Sequence, residues 1–148
     1  MTTVNIYLNF NGDCEAAFRF YQQAFGTELG EISRFGEMPP QEGMPPLPEE
    51  MKNQVMHVSL PISTETMLMG SDVGNEYASQ FKLGNNFSIS INTDNRAEAD
   101  RLFHALAAGG QITMPLADVF WGDYFGMLID KFGVNWMVSY NEDTFKNA

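Results

Sequence analysis

Two segments of the chain alternate apolar and polar residues in the same way. In Val4-Asn5-Ile6-Tyr7-Leu8-Asn9-Phe10 the residues Ile6, Leu8 and Phe10 oppose Asn5, Tyr7 and Asn9. In Asn86-Phe87-Ser88-Ile89-Ser90-Ile91-Asn92 the residues Phe87, Ile89 and Ile91 oppose Asn86, Ser88, Ser90 and Asn92. Successive side chains of a strand point to opposite faces, so this period of two predicts two strands, each packed on one side and polar on the other. A short Asn/Gly/Asp turn and a helical stretch follow each. In the first helix Asp13 is the expected N-cap and Glu15 favours the first turn. Ala17, Phe20, Tyr21 and Ala24 form its apolar stripe, and Gly26 supplies a left-handed stop. The second helix opens on a capping-box pair, Asn95 and Glu98. Its stripe is Ala99, Leu102, Phe103 and Leu106, and Gly109-Gly110 ends it.

Further strands are predicted at 27–35, 54–62 and 66–71 in the first half, and at 111–115, 119–129 and 135–140 in the second. The order β-α-β-β-β thus occurs twice. It predicts an α+β fold of two βαβββ modules in one chain, forming a cupped sheet with the helices on its outer face. The modules are expected at 1–72 and 85–148, joined by a linker at 73–84, and function is expected in the cavity they share. Residues 36–53 hold five of the chain's seven prolines, which exclude a central strand or a helix interior. Met38, Met44, Leu47 and Met51 dot this loop, as suits a flexible apolar flap over a pocket or a partner surface, or else a floppy surface excursion.

Charge and composition narrow the partners. The 148 residues include 19 acidic and 8 basic side chains, a net charge of −11. Nucleic-acid binding relies on Lys and Arg to neutralise phosphates, so this balance argues against DNA or RNA. Acidity serves solubility and steers cationic ligands inward. One cysteine, Cys14, excludes an internal disulfide and suits a reducing compartment. No apolar run reaches the roughly 20 residues of a membrane helix, and no signal-peptide layout opens the chain. A cytoplasmic protein with no membrane partner is expected.

The candidate chemistry is sparse. Alternation along Val55-Met56-His57-Val58-Ser59-Leu60 puts Met56, Val58 and Leu60 on the packed face and His57 with Ser59 on the polar one. His57 is then the one imidazole in the cavity, a general base or a histidine held only by hydrogen bonds. His104 reads as a surface residue. Asn5 and Asn86 occupy matched inward positions, and the last strand adds Asn135, Met137 and Ser139. Amides and a thioether make a poor site for zinc, iron or nickel, so no metal is expected. Cys14 falls in a first helical turn, where a dipole lowers a thiol pKa, but a buried cysteine is the plainer reading. No Gly-x-Gly-x-x-Gly follows a strand and no phosphate-cradling loop is present, so no nucleotide or S-adenosylmethionine cofactor is expected. In the stretch 119–136 aromatics and glycines interleave. There Trp121 and Asp123 share a strand face, an aromatic wall with a carboxylate for a planar or cationic ligand, or simply core.

Several segments together resemble a known family. Tyr7-Leu8-Asn9-Phe10-Asn11-Gly12, Met56-His57-Val58-Ser59-Leu60, Leu68-Met69-Gly70-Ser71-Asp72 and the block from Phe120-Trp121-Gly122-Asp123 to Phe132-Gly133 are similar to the PhnB-like branch of the vicinal oxygen chelate superfamily. That superfamily includes glyoxalase I, extradiol dioxygenases and bleomycin-resistance proteins, and the branch is also called demethylubiquinone methyltransferase-like. The resemblance implies metal ligands on the first, fourth, fifth and eighth strands. Those positions fall near Asn5, at Leu68 or Met69, at Asn86 and near Met137, and none is a histidine or carboxylate. It also implies a homodimer. Three functions follow: a metal-free binder of a small organic ligand, cationic or aromatic, through Asn5, Tyr7, Ser59, Asn86, Ser88, Trp121 and Asp123; an enzyme of lyase, isomerase or dioxygenase type using His57 as base on a small carbonyl or hydroxyl substrate; or a dimeric assembly protein without a ligand.

Overall fold

A computed structural model describes residues 2–39, 42–43 and 45–142, without the side chains of Asn75 and Glu76. The chain divides into two compact units, Met1–Lys82 and Leu83–Ala148. The first contains β1 (Ile6–Phe10), α1 (Cys14–Phe25), β2 (Ser33–Arg34), a one-turn helix α2 (Glu49–Lys52), β3 (Val55–Pro61) and β4 (Met67–Asp72). The second contains β5 (Ile89–Asn92), α3 (Arg96–Ala107), β6 (Gln111–Asp118), β7 (Tyr124–Ile129) and β8 (Asn135–Tyr140). Each unit is a mixed four-stranded sheet, in the orders β1-β4-β3-β2 and β5-β8-β7-β6. In both, the first strand pairs in parallel with the last and the remaining pairs are antiparallel. The expected βαβββ order is therefore present twice. Among the described residues no helix is long and apolar enough to cross a membrane.

Within each unit the helix covers one sheet face. In the first, Leu8, Phe10, Val58, Leu60 and Leu68 are buried with Phe18 and Tyr21 of α1. Gly70 lies under Phe18 so closely that an added Cβ would stand 2.6 Å from its ring and 2.9 Å from the Leu8 carbonyl. In the second, Ile89, Leu128, Trp136 and Val138 are buried with Leu102, Phe103 and Leu106. The stripe expected on α3 is buried in full, and Asn95 Oδ1 accepts from Glu98 N at 2.8 Å, as its N-cap role requires.

Elsewhere the observed elements differ from those expected. The buried arc of α1 runs through Cys14, Ala17, Phe18, Tyr21 and Ala24, and Phe20 is only half-buried. At about 100° per residue, Phe20 falls at the margin of that arc and Phe18 within it. Asp13 makes no side-chain cap, but Gly26 ends α1 in the left-handed conformation at φ 72°. The strand expected at 27–35 shrinks to two residues, followed by a 3-10 turn at Phe35–Glu37. The proline-rich segment contains α2, which starts directly after Pro48, where a helix tolerates proline. Met51 of α2 is buried, so it belongs to the core and not to a flap. Met44 of the same expectation lies outside the described residues. Asn86, Phe87 and Ser88 precede β5 instead of forming it, and Phe87 is exposed.

Two buried carboxylates tie loops to these sheets. Asp72, at the end of β4, accepts from the backbone amides of Gly12 at 2.8 Å, Cys14 at 3.1 Å and Val55 at 2.8 Å. It supplies the N-terminal acceptor of α1 that Asp13 does not. Asp130 accepts from Phe132 N at 2.8 Å, Val134 N at 3.0 Å and the indole of buried Trp136 at 2.8 Å, which locks the turn between β7 and β8.

Candidate functional site

Strand alternation leaves the face of the first sheet opposite α1 to polar and sulfur-bearing side chains, whereas in the second sheet the face opposite α3 also carries Phe125 and Ile129. On β1 the polar residues are Tyr7 and Asn9, and the parallel register with β4 sets Tyr7 beside Met69 and Asn9 beside Ser71. The antiparallel register of β3 and β4 then sets Met69 beside Ser59. A row Tyr7–Met69–Ser59 thus crosses three strands, with His57 two residues from Ser59. The Tyr7 and His57 rings lie 6.0 Å apart at 32°. Tyr7 is 45% exposed, His57 is exposed, and Ser59, Met69 and Ser71 are half-buried. Among the described residues neither the Tyr7 hydroxyl, the Ser59 and Ser71 hydroxyls nor the His57 ring makes a hydrogen bond to the protein. These groups are available to a bound molecule. Three of the residues expected to form a site, Tyr7, His57 and Ser59, therefore do share one face.

Asn5 does not join them within a strand, because β1 begins at Ile6 and Asn5 is exposed ahead of it. In the second unit Asn86 is exposed and Ser88 half-buried, both ahead of β5. The matching face there carries Ser90 beside Met137 and Asn92 beside Ser139, with Met137 beside Met127. Ser139 Oγ donates to Asn92 Oδ1 at 2.6 Å. Asn9, Met69, Ser71 and Asn92 were not among the expected ligand contacts. The same alternation that revealed Tyr7 and His57 would have found them.

Trp121 and Asp123 are close, but not as strand neighbours. The chain turns at 119–122, where Gly122 N donates to the Val119 carbonyl at 3.0 Å and Gly122 adopts φ 100°. The expected strand 119–129 is accordingly replaced by a hairpin turn and the shorter β7. The turn folds the Trp121 indole back to donate to Asp123 Oδ2 at 2.8 Å, and Asn141 Nδ2 donates to Asp123 Oδ1. Both carboxylate oxygens are thus engaged within the protein. Phe120 projects beside this indole, 97% exposed. Close to the start of α3, Arg96 forms a two-point pair with Asp118 at 2.8 and 3.1 Å and lies 4.0 Å from the Tyr124 ring centre. Tyr124 donates to Asp100, and that hydrogen bond holds its phenol above the usual tyrosine range.

The reactive-thiol alternative for Cys14 fails on geometry. The side chain is fully buried, and burial first, then the charge of Asp72, raises its pKa far above an ordinary thiol. Low-pKa cysteines are held by adjacent cations, whereas the charges acting on Cys14 are the carboxylates of Asp72, Asp13 and Glu15. The metal positions implied by the fold also fail the donor test. Asn5 and Asn86 offer neutral amides outside the strands, and Met69 and Met137 offer thioethers. No three His, Cys, Asp or Glu side chains converge among the described residues. Such donors do not fit a divalent metal of the glyoxalase kind.

Comparison with known proteins places the chain. Residues 2–139 match a family model described as 3-demethylubiquinone-9 3-methyltransferase. The chain is 33% identical to Protein YjdN of Escherichia coli K12 over 138 residues, covering 90% of this chain and 91% of YjdN. It is similar to the crystal structure of PA1353 from Pseudomonas aeruginosa at 38% identity and TM-score 0.78, covering 95% and 98% of the two chains. A putative 3-demethylubiquinone-9 3-methyltransferase, PhnB protein, from Bacillus cereus shares 28% identity at TM-score 0.72, covering 94% and 99%. A glyoxalase/bleomycin resistance protein/dioxygenase family enzyme from Burkholderia phytofirmans has the same fold, with TM-score 0.62 at 20% identity and coverage of 90% and 95%. With sequence, topology and neighbours in agreement, the chain belongs to the PhnB-like, 3-demethylubiquinone-9 3-methyltransferase family, built on the glyoxalase/bleomycin-resistance fold.

Proposed function

We propose that this chain binds a small organic molecule, without a metal, on the polar sheet faces of its units. Tyr7, His57 and Ser59 form the contacts in the first unit. Asn5, Asn86, Ser88, Trp121 and Asp123 are the further contacts proposed, for an aromatic or cationic ligand. The observation that carries this reading is the Tyr7–His57 ring pair beside hydroxyls that have no hydrogen-bond partner among the described residues. Planar rings and unpaired hydrogen-bonding groups on one face are what a small-molecule site requires. The methyl-transfer activity in the family description finds little support among these residues. Asp72 takes the amides of Gly12 and Cys14 at the start of α1, Asn95 takes that of Glu98 in α3, and neither strand–helix turn carries a glycine-rich phosphate loop. We propose that the protein acts as a cytoplasmic homodimer.

A thermal-shift screen over aromatic and cationic metabolites tests the reading. A ligand at 100 times its Kd adds about 2.7 kcal/mol to the folded state. For a chain of this size that raises Tm by roughly 5–10 °C. Tyr7→Ala and His57→Ala should each remove most of the rise. A screen with no hit, or a hit whose shift both variants retain, would sink the proposal.

One observation favours a second, enzymatic reading. Among the described residues the exposed His57 imidazole has no hydrogen-bond partner, which leaves its ring nitrogens open to act as base toward a small carbonyl or hydroxyl substrate. His57→Gln separates the readings, because it would abolish turnover while leaving ligand-induced stabilisation in part. Turnover unchanged in that variant would reduce His57 to a binding contact.

A further inference from the structure

The second unit contains three methionines, Met114, Met127 and Met137, and the strand register sets all three in one row. Met114 of β6 stands directly opposite Met127 of β7, and Met127 stands directly opposite Met137 of β8. The row ends on β5 at Ser90, the partner of Met137. It lies on the sheet face away from α3, because Gly126, the neighbour of Met127, backs onto the Phe103 ring. The face under α3 is filled instead by Ile89, Leu128, Trp136 and Val138. Methionine is thus absent from the packed side and present on three successive strands of the other. Met114 is 40% exposed, Met127 and Met137 are half-buried, and Phe125 and Ile129 flank Met127 along β7.

We infer that this row is a binding site for a soft monovalent metal ion, copper(I) in chemical class, held by the thioethers of Met114, Met127 and Met137. Side chains directly opposite on neighbouring strands have Cβ atoms roughly 5 Å apart, so their sulfurs can close on one ion placed over Met127. Thioether sulfur is a soft donor that selects copper(I), whereas harder ions prefer imidazole and carboxylate. No histidine or carboxylate is a cross-strand partner in the row, so nothing paired with it recruits a harder ion. Thioethers are neutral, so the bound ion keeps its positive charge, and the field of a chain at −11 favours its arrival. Leucine would cover this face with similar apolar area, and polarisable sulfur is what methionine adds. The site is independent of the organic-ligand reading, which rests on the Tyr7–His57 pair of the first unit and needs no metal. It also differs from the metal positions that the fold implies on the first, fourth, fifth and eighth strands. Only Met137 is common to both, and Met114 and Met127 lie on β6 and β7.

The test is NMR of the full chain with isotope-labelled methionine methyls, titrated anaerobically with copper(I) and separately with silver(I), a soft ion without redox chemistry. Both ions should shift the methyl signals of Met114, Met127 and Met137 together and saturate at one ion per chain, while zinc leaves them in place. Met127→Leu and Met137→Leu conserve volume, so each should keep the wild-type backbone amide spectrum. Each should weaken silver binding at least about tenfold. Cys14→Ala should bind as the wild type does, because that thiol is sealed inside the first unit. Zinc moving the three methyls as strongly as silver would overturn the proposal, as would either leucine variant binding with undiminished affinity. Silver that leaves the row untouched, saturates other methionines first or is lost in Cys14→Ala would overturn it equally. If the three methyls respond to naphthalene sulfonate and not to silver, the face takes an organic molecule and the metal site falls. Each of these failures leaves the Tyr7–His57 reading standing, since no variant or signal used here belongs to that pair.

Discussion

Asp72 shows how much one side chain can decide. It ends β4, and its two oxygens hold three amides from the start of α1 and the start of β3. Asp72→Ala would strand those donors, two of them in buried hydrogen bonds. A loss of at least about 3 kcal/mol is expected by urea denaturation, a large share of the roughly 5–15 kcal/mol that holds a domain folded. Asp72→Asn keeps one acceptor oxygen and should cost clearly less. Equal losses would mean that volume and not hydrogen bonding matters there. Gly70→Ala makes a second test, because its Cβ would press on the Phe18 ring and the Leu8 carbonyl. Overpacking of that kind costs about 1–3 kcal/mol, and Phe18→Leu in the same chain should recover part of it. Sequence periodicity chose Phe20 over Phe18 because both fit a spacing of three or four from some neighbour. Only the sheet below decides which ring has a place to go. Asp72 itself could not be recognised from the sequence as a cap, since its partners lie 58 and 60 residues away.

At the scale of elements, local chemistry was legible where it was self-contained. The cap of α3, its apolar stripe and the limits of β8 all follow from residues within the element. Elements that depend on distant partners were not. β2 keeps two residues because its pairing with β3 shifts register between Ser33 and Arg34. The hairpin at 119–122 was hidden because its aromatic residues have strand propensity, and the positive φ of Gly122 breaks that run. Gly122→Ala would force a side chain into that conformation at a cost of about 1–2 kcal/mol. The Trp121–Asp123 contact should loosen with it, visible as a red shift in tryptophan emission. The joint between α1 and β2 has a pH signature. The hydrogen bond from Arg34 holds Glu15 below the usual carboxylate range. The pair's contribution is therefore complete above the ordinary glutamate pKa and is lost as pH falls through the lowered folded value. Glu15→Gln should flatten the acid limb of stability against pH in that window and leave the neutral-to-alkaline region parallel to wild type. Unchanged acid slopes would show the pair to be inert.

For the molecule as a whole, the duplicated order and the fold family were readable from pattern and motif. The ligand was not, because alternation identifies a face without saying what rests on it. Sedimentation equilibrium at micromolar concentration should give twice the 16.6 kDa chain mass if the proposed homodimer is right, and a single-chain mass would remove it. The division at 82/83 has one more consequence, which follows from where two rare residue types fall. The only thiol, Cys14, is sealed inside the first unit, and both indoles, Trp121 and Trp136, belong to the second. Alkylation kinetics in denaturant thus time the opening of one half, and fluorescence times the other, in the unmodified wild-type chain. Coincident midpoints would make the two halves one cooperative unit, and separated midpoints would show that either half can melt while its twin stays folded.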